Sequence, residues 1–346
     1  MEIAVIGAGV VGASIAYHLA RRGCDVVVID RAPGFGAGST AKATGGYRAQ
    51  FDSETNVRLS LLSREKLRTF QDETGVDPGY APRGYLFLAC NDDELTTLRQ
   101  AQNVQHACGL REARMIDAKE ARELNPKIGD DTIIGGTFCP TDGFIKPMNI
   151  LRGYAEAAQR LGVRFRFNAN EDDVDARIVV NAKGPWCGPP VTPTRRNVVA
   201  TVPTNVLDES MPMTIWSGDW YHLRVRDGRV LLLWPDDPVI DDEAWLSTVI
   251  EKTHARMPCL RDIPLGERWS GLYEMSPDSH ALLGRIAENR YVANGSSGHG
   301  VMHAPALGQL LAELMVDGQT SMDIRPLDPA RFRSAVAPAT ALVPER

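Results

Sequence analysis

The chain has 346 residues, of which 43% are hydrophobic and 24% are charged, and its formal net charge is −6 at pH 7. This composition is typical of a folded protein with room for two domains, and the acidic balance excludes the basic surface that nucleic acid or an anionic membrane requires. Apolar runs are too short to span a membrane, and the apolar start lacks the basic residues of a signal peptide, so we expect a cytoplasmic protein.

The first thirty residues form the most informative segment. An apolar run typical of a buried strand is followed by Gly7, Gly9 and Gly12 in G-x-G-x-x-G order, a helical pattern, and a second apolar strand that ends at Asp30. In a dinucleotide site, Gly7 permits the tight turn, Gly9 lets the backbone approach a pyrophosphate, and Gly12 lets the helix pack closely on the strand. Asp30 lies where a carboxylate accepts hydrogen bonds from an adenosine ribose. The pattern predicts dinucleotide binding but does not distinguish FAD from NAD.

The next segment, residues 31–51, is a loop rich in glycine and other small residues. It follows the carboxyl end of a predicted parallel strand, and ligands of α/β sheets bind at that edge. We therefore expect this loop to approach the cofactor, with the hydroxyls of Ser39 and Thr40 able to bond phosphate.

The elements predicted up to residue 182 alternate between helices and short strands. The patterns predict helices over 54–74, 92–108, 111–125 and 149–161, and strands over 84–89, 132–138, 163–167 and 178–182. Between them, residues 140–147 are predicted to be a turn-rich connector and 171–175 an acidic solvated turn.

From residue 195 the pattern changes to short aromatic and β-branched runs separated by turn residues, which predicts an antiparallel sheet. A helix over 242–256, a strand over 290–294 and a helix from about 304 to 315 complete the predicted elements. The overall class is α/β, with a β-rich second domain inserted into a nucleotide-binding unit. The six cysteines are scattered without a C-x-x-C pair, which predicts reduced thiols and no metal site.

Several later segments match a known family in order and spacing. They are GST at 38–40, GGYRAQF at 45–51, GYLFLA at 84–89, PTDGFIKP at 140–147, NAKGPW at 181–186, SGLYEMSPD at 270–278 and GHGVMHAP at 298–305. With the glycine turn at the start, they make the chain resemble the FAD-dependent D-amino-acid oxidase superfamily, most of all its glycine oxidase, sarcosine oxidase and proline dehydrogenase branch. The resemblance implies a Rossmann-like FAD-binding domain (1–81, 141–195 and 276–346) with an inserted antiparallel-sheet substrate domain (82–140 and 196–275).

The resemblance implies cofactor-binding residues in four segments. They are Gly7, Gly9, Val11, Gly12, Asp30 and Arg31; Gly38, Ser39, Thr40, Ala43, Thr44, Gly45 and Gly46; Ala182, Gly184 and Trp186; and Gly298, His299, Gly300, Val301 and Met302. A helix starting near His303 or Ala304 would direct its N-terminus at the late glycine loop, where its dipole stabilises the negative charge of a reduced flavin.

Two departures from the family concern the cofactor. Members with covalent flavin attach it through a cysteine or a histidine at positions where this chain has Gly271 and Leu272, or Lys42 and Ala43. We therefore expect non-covalent FAD. The family also usually has a hairpin that helps to hold the adenosine end, whereas about ten residues, 168–177, make that connection here. We expect this end of FAD to have less support.

The resemblance implies oxidation of a C–N bond next to a carboxylate, by hydride transfer to flavin N5 with formation of an imine. The candidate substrate-side residues are Arg48, Tyr221, Arg224, Tyr273 and His299. Arg48 leads as the carboxylate-binding group because it follows the glycines expected beside the flavin. Tyr221 and Arg224 lie three residues apart on one strand, so both can face the site only across a bulge.

Each candidate also has a structural interpretation. Arg48 can be a surface arginine, Tyr273 a core side chain and His299 a hydrogen-bonded structural histidine. His222, expected to face away from Tyr221, and Lys146, in a connector expected to be exposed, are weaker candidates. Glycine oxidases bind the carboxylate with a late-loop arginine, and glycine takes that place here, which argues against a plain glycine oxidase.

The expected partners are a small amine or amino-acid substrate and O2 as electron acceptor. Sarcosine oxidases activate oxygen with a lysine above the flavin, and residues 220–275 offer only Lys252, on a predicted surface helix. A dehydrogenase that passes electrons to a quinone or a partner protein is therefore an alternative, as is a flavin-binding protein without amine chemistry. An NAD-dependent dehydrogenase is disfavoured because the later segments match flavin-binding ones. The sequence leaves the substrate, its stereochemistry and the oligomeric state open.

Overall fold

A computed structural model describes residues 2–173, 175–236 and 238–333. The helices of this part are α1 (Val10–Ala20), α2 (Ser39–Lys42), α3 (Glu54–Thr74), α4 (Asp92–Ala107), α5 (Ala118–Leu124), α6 (Pro147–Arg160), α7 (Asp242–Arg256) and α8 (Gly300–Ala312). The strands up to residue 181 are β1 (Glu2–Ile6), β2 (Asp25–Asp30), β3 (Gly46–Tyr47), β4 (Tyr85–Ala89), β5 (Arg114–Asp117), β6 (Gly135–Cys139), β7 (Gly143–Phe144), β8 (Arg164–Phe167) and β9 (Ile178–Asn181). The later strands are β10 (Thr192–Thr201), β11 (Met213–Trp216), β12 (His222–Arg226), β13 (Arg229–Leu233), β14 (Leu265–Met275), β15 (Leu282–Ala287) and β16 (Arg290–Asn294).

The first sheet has six strands in the order β15-β16-β9-β1-β2-β8, and all neighbours are parallel except the β15–β16 hairpin. Helices α1, α3, α6 and α8 pack together over one of its faces. All residues of α1 except Val11 are buried, because the helix is covered by the sheet and by its neighbours α6 and α8. A smaller apolar cluster lies on the other face, beside the short 168–177 connection, which contains a 3₁₀ turn at Glu171–Asp173 among its described residues.

The second sheet has eight strands in the order β14-β10-β13-β12-β11-β4-β6-β5. Its neighbours are antiparallel, as the sequence predicts, except β11 and β4, which pair in parallel. Because side chains alternate along each strand, this sheet has two distinct faces. One packs on α7 around Trp216, Tyr221 and Trp245, and the other faces the first sheet.

Two long helices have the bounds that the sequence predicts, 54–74 for α3 and 242–256 for α7. Local hydrogen bonds determine where both begin, since Ser53 accepts from the Asn56 amide and Asp241 accepts from the amides of Glu243 and Ala244. A helix start that is determined by such a local cap can be predicted from the sequence without knowledge of tertiary contacts.

The predicted helix over 111–125 is wrong in its first half. Residues Arg114–Asp117 form β5, which pairs with β6 as the edge strand of the second sheet, and only Ala118–Leu124 are helical. The Asp117 carboxylate accepts from the Glu120 amide at 2.8 Å and starts the helix there. Pairing with a distant strand overrides the local helical pattern in this segment.

The predicted domain boundaries remain a prediction. The six-stranded sheet is built from strands within the ranges assigned to the FAD domain, while the eight-stranded sheet draws on the other ranges and on the start of β10 at Thr192. None of the helices in the described ranges is both long and apolar enough to cross a bilayer. All six cysteines have free thiols.

Because His18 is buried in α1, we expect the protein to lose a measurable part of its stability in acid. Burial, together with Lys66, Arg22 and Arg21, lowers its pKa from 6.5 to about 3. Below pH 6.5 the unfolded chain therefore binds a proton at His18 that the folded chain does not bind. The contribution of neutral His18 to stability is present above pH 6.5 and is lost as the pH falls toward 3. A His18→Phe variant keeps a ring but cannot titrate, so between pH 7.5 and about pH 5 it should lose less free energy of unfolding than the wild type, by about 2 kcal/mol. Urea unfolding at the two pH values measures this difference, and equal losses in both proteins would refute it.

Candidate functional site

A cavity of about 1070 Å³ lies between the carboxyl edge of the six-stranded sheet and one face of the eight-stranded sheet. Its lining comes from the glycine turn at the start of α1, the 36–48 loop, the segment after β9, the late loop before α8, and strands of the second sheet. Residues 169–173 of the shortened connection also line it. The cavity thus joins the segments predicted to bind the cofactor to those predicted to bind the substrate.

The glycine turn is constrained by the protein and also leaves room for a ligand. Gly7 has φ +115°, and a Cβ there would lie 2.3 Å from the Ala182 carbonyl oxygen. A Cβ on Gly12 would lie 1.9 Å from the Gly7 carbonyl oxygen. At Gly9 a Cβ would meet only the Thr40 hydroxyl, at an ordinary 3.5 Å. Packing therefore requires the first and third glycines, while the second leaves its space to an approaching phosphate.

Asp30 has a part in the fold beyond its predicted contact with ribose. One carboxylate oxygen accepts from the Ala8 amide at 2.7 Å and the other from the Ala32 amide at 2.8 Å. These bonds fix the glycine turn relative to the end of β2. Each oxygen keeps a further lone pair, so the carboxylate can still accept a bond from a ribose hydroxyl.

The end of the cavity predicted to hold adenosine is open but not without support. Arg31 stacks over the Trp186 ring, with 4.6 Å between the guanidinium carbon and the ring centroid. Glu171, in the shortened connection, pairs with Lys183 at 2.7 Å and with Arg290 at 3.3 Å. No sequence motif marks this role of Glu171, because its two partners lie elsewhere in the chain.

The middle of the cavity is lined by the predicted 38–46 loop. The Thr40 hydroxyl accepts from the Val10 amide at 3.2 Å and so joins the loop to the N-terminus of α1. Ser39 instead donates to the Leu272 carbonyl at 2.7 Å, a bond that holds the loop against β14. A Cβ on Gly45 or Gly46 would collide with the Ile145 carbonyl or the Tyr85 hydroxyl, which explains the paired glycines.

Tyr221 and Arg224 do not serve the site in the predicted way. The Tyr221 hydroxyl bonds Thr253 of α7 at 2.8 Å, and its ring is buried on the side of the sheet away from the cavity. The side chain of Arg224 lies on the cavity side of the sheet but does not line the cavity. Its guanidinium donates to the carbonyls of Thr44 and Gly45 at 2.7 and 3.1 Å and stacks over Phe144. Strand β12 has no bulge, so Tyr221 is a core residue and Arg224 braces the cofactor loop.

Arg48 reaches the cavity from the predicted loop. Its side chain is buried, its guanidinium carbon lies 3.7 Å from the Phe51 ring centroid, and it donates to the Gln50 carbonyl. Burial lowers the pKa of Arg48, and this effect outweighs the opposing influence of Tyr85 and the nearby carboxylates. The interpretation as a surface arginine is therefore wrong, and the cavity holds a desolvated cation that an anionic ligand would stabilise.

The turn after Arg48 is held by Asp142, which the sequence analysis did not select. Its carboxylate accepts from the amides of Ala49 and Gln50 and from the Gln50 side chain. Burial raises the pKa of Asp142 to about 6. A fully buried carboxyl that binds two consecutive amides fixes the backbone from which Arg48 extends.

Tyr273 and Gly298 occupy the same corner of the cavity. Tyr273, on β14, is 38% exposed, and a Cβ on Gly298 (φ +86°) would lie 2.3 Å from its ring. The tyrosine ring thus fills the space in which a side chain at residue 298 would begin. This packing accounts for the glycine at that position, and Tyr273 lines the cavity rather than the core.

Helix α8 begins at Gly300, so the predicted start near residue 304 is wrong by one turn. His299 is its N-cap residue, and Gly300, Val301 and Met302 line the cavity with their helix N-terminus. Burial, together with the charge of Arg48, lowers the pKa of His299 well below its usual value, so its imidazole is neutral. An uncharged residue at a helix N-terminus leaves the dipole free to stabilise an anionic group in the cavity.

Glu274 is a cavity residue that the sequence analysis missed. One of its carboxylate oxygens accepts from the hydroxyl and the amide of Ser296, while the other is buried and has no hydrogen-bond partner in the described part of the chain. Burial raises the pKa of Glu274. No sequence motif marks this residue, because its hydrogen-bond partner Ser296 is 22 residues further along the chain.

The two weaker candidates also have definite positions. His222, predicted to be a weaker candidate, lines the cavity. Trp220, which was not predicted as a site residue, lines it as well. Lys146 is exposed and lies outside the lining, as expected. Lys252 pairs with Asp219 at 2.6 Å on α7, on the far face of the sheet.

The donor set fits a flavin dinucleotide. Space beside Gly9, a free helix dipole at Gly300, and buried polar atoms of Glu274 and His299 that have no partner among the described residues all face or adjoin the cavity. The glycine turn and Asp30 would hold the adenosine diphosphate half. The 43–46 loop, the segment after β9 and the start of α8 would surround the ring system.

Comparisons with known proteins agree with this fit. Residues 2–314 match the family model described as FAD dependent oxidoreductase. The chain is 26% identical to FAD-dependent oxidoreductase domain-containing protein 1 of Xenopus laevis, covering 92% of this chain and 79% of that protein. It is 24% identical to glycine oxidase of Geobacillus kaustophilus, with 95% and 97% covered. The solved L-proline dehydrogenase from P. horikoshii superposes with a TM-score of 0.88 at 30% identity, with 96% and 97% covered.

The family match extends over most of the chain, and the relatives cover nearly all of it. Fold, glycine turn and cavity are those of an FAD-binding enzyme. The protein belongs to the FAD dependent oxidoreductase family and binds FAD.

Proposed function

We propose that the protein oxidises the C–N bond of an amino acid or an N-substituted amino acid to an imine. The observation that carries this proposal is Arg48, a buried and desolvated guanidinium in the wall of the FAD-binding cavity. Such a cation favours an anionic substrate group, and a carboxylate matches the planar fork of its N–H donors.

Bound FAD supplies the hydride acceptor for the carbon next to the substrate nitrogen. The chain contributes binding, orientation and a dry environment. Arg48 fixes the carboxylate, while apolar and aromatic side chains of the second sheet, Tyr85, Met213, Ile215, Trp220 and Leu233, cover the cavity and exclude water. The N-terminus of α8, capped by the neutral His299, adds the positive end of the helix dipole to this environment.

The named relatives support an amino-acid substrate. Glycine oxidase and L-proline dehydrogenase are both named for amino-acid substrates, and each aligns with nearly the whole chain. The cofactor is proposed to be non-covalent, because Gly271 and Leu272, and Lys42 and Ala43, offer no cysteine or histidine at the family's attachment positions.

For the electron acceptor, O2 is the first proposal and a quinone or partner protein the second. The second is favoured by a specific observation. Lys252 is engaged with Asp219 on the far face of the sheet, and no lysine between residues 220 and 275 lines the cavity in the described part of the chain. The similarity to a proline dehydrogenase points the same way.

The test is anaerobic mixing of the FAD-loaded protein with sarcosine, glycine, proline, N-alkyl amino acids and D-amino acids, while the flavin absorbance is recorded. We expect at least one of these amines to reduce the flavin and so bleach its absorbance. Admission of air then separates the acceptors, since rapid reoxidation with stoichiometric peroxide supports O2 and a flavin that stays reduced supports the dehydrogenase. A flavin that no amine reduces would refute amine oxidation and leave a flavin-binding protein of another kind.

A further inference from the structure

His222 is the first residue of β12, and its side chain points into the cavity, opposite to that of Tyr221. Its Nδ1 lies 2.7 Å from the carbonyl oxygen of Trp220. A carbonyl oxygen only accepts, so Nδ1 carries the hydrogen and donates it. The tautomer of the imidazole is thereby fixed, and the lone pair is on Nε2.

The Trp220 carbonyl is itself held in place. Trp220 has φ +61°, and its amide donates to the Trp216 carbonyl at 2.8 Å, which closes the turn between β11 and β12. The acceptor of the Nδ1 hydrogen therefore belongs to a fixed turn, and the ring of His222 has a defined orientation.

The imidazole of His222 is neutral and has an unused acceptor. Burial and the charge of Arg48 lower the pKa of His222 to about 4, against the opposing effects of the Trp220 carbonyl and Asp219. No donor among the described residues hydrogen-bonds Nε2, and that atom is not among the buried atoms lacking a partner. Nε2 is therefore a neutral acceptor that a ligand in the cavity can reach.

This acceptor complements the other polar groups near Arg48. The Arg48 guanidinium and the Trp220 indole can only donate, and the hydroxyls of Tyr85 and Tyr273 can do either. A substrate that places its carboxylate on Arg48 still has an amine whose N–H groups need an acceptor. Oxidation next to nitrogen requires the neutral amine with its lone pair free, and in that form primary and secondary amines carry N–H bonds while tertiary amines carry none.

We propose that Nε2 of His222 accepts a hydrogen bond from the substrate amine and thereby selects primary and secondary amines over tertiary ones. This inference rests on the proposed function and names the substrate class of the same site. Arg48 and His222 then recognise the two functional groups of one amino acid.

Two variants of His222 separate this role from a structural one. In His222→Asn the side-chain amide can still donate to the Trp220 carbonyl, but nothing reaches the position of Nε2. In His222→Gln the longer side chain places a carbonyl oxygen near that position. Unchanged FAD content and urea unfolding midpoint in the Asn variant would show that the turn is intact.

The first readout is anaerobic flavin reduction by sarcosine and by its tertiary analogue N,N-dimethylglycine. The wild type should favour sarcosine; His222→Asn should lower the efficiency with sarcosine about tenfold, the value of one hydrogen bond, with little change for the tertiary amine. His222→Gln should recover part of the loss.

The second readout needs no turnover. Pyrrole-2-carboxylate and furan-2-carboxylate have nearly the same shape, but only the pyrrole has an N–H. The wild type should bind the pyrrole about tenfold more tightly, as measured from the perturbed flavin spectrum, and the Asn variant should bind the two equally.

The outcomes distinguish the inference from the function on which it rests. Flavin reduction by amines with an unchanged preference in the Asn variant, or with equal losses for both amines, would overturn the role of His222 alone. A flavin that no amine reduces would overturn the proposed function and this inference with it.

Discussion

Replacement of Arg48 by methionine is expected to raise the amine concentration needed for half-maximal flavin reduction by roughly 100-fold, or about 3 kcal/mol of binding. The arginine is buried, and its described hydrogen bond goes to the neutral carbonyl of Gln50 rather than to a carboxylate. Methionine keeps much of the apolar stem and removes the charge. The substrate carboxylate would then be desolvated without a partner.

A second substitution tests the shape of the interaction. Arg48→Lys keeps the positive charge but loses the planar pair of donors and the stacking on Phe51. It should fall between the wild type and the methionine variant. Arg229→Met is the matched control, because Arg229 lies on the same sheet and also donates to a carbonyl, that of Thr201, but does not line the cavity.

The Arg48 variants should still purify with FAD, since the glycine turn and the start of α8 are untouched. Stopped-flow reduction therefore measures the substrate requirement, and the ratio of FAD to protein measures cofactor binding. An unchanged substrate requirement in Arg48→Met, with FAD bound, would remove Arg48 from carboxylate binding.

Replacement of Gly12 by alanine is expected to abolish FAD binding. The new Cβ would lie 1.9 Å from the backbone oxygen of Gly7, and a backbone atom in a buried turn cannot move aside as a flexible side chain can. Helix α1 would have to shift away from β1, which moves the amides that approach the pyrophosphate. Gly7→Ala should act in the same way, because its Cβ would meet the Ala182 carbonyl at 2.3 Å and its φ of +115° disfavours any side chain.

Both substitutions should also destabilise the protein without cofactor, by about 2–3 kcal/mol, as overpacking of a tight core does. Gly34→Ala is the matched control, since a Cβ there meets nothing within 4 Å and the residue lies outside the cavity lining. The flavin absorbance of the purified protein and its urea unfolding give the two quantities. Stoichiometric FAD in Gly12→Ala would show that the turn tolerates the displacement.

The same residues show how far prediction from the sequence reaches. The glycine turn, the second strand and Asp30 lie within thirty consecutive residues, and their geometry depends mainly on one another. Helices α3 and α7 begin at side-chain caps a few residues away from the bonds they make. Predictions of this local kind are confirmed by the structure.

The substrate side was predicted less well, and strand register is the reason. Side chains alternate along β12, so consecutive residues point to opposite faces of the sheet. Only the pairing of β12 with β11 and β13 determines which of these faces lines the cavity. Tyr221 was predicted to be the better candidate, but it is buried against α7, while the side chain of His222 faces the cavity. Glu274 was missed because its hydrogen-bond partner, Ser296, is in the late loop, 22 residues further along the chain.

The sequence by itself determined the cofactor class and predicted which segments bind the dinucleotide, because both depend on short motifs whose order along the chain is informative. Only the tertiary structure decided that Arg224 braces the 44–45 loop, that Tyr273 fills the space where a side chain at Gly298 would begin, and that Arg48 and His222 line the same cavity. These relations join residues far apart in the chain, and they are determined by strand pairing and packing between the two sheets, which no local pattern encodes.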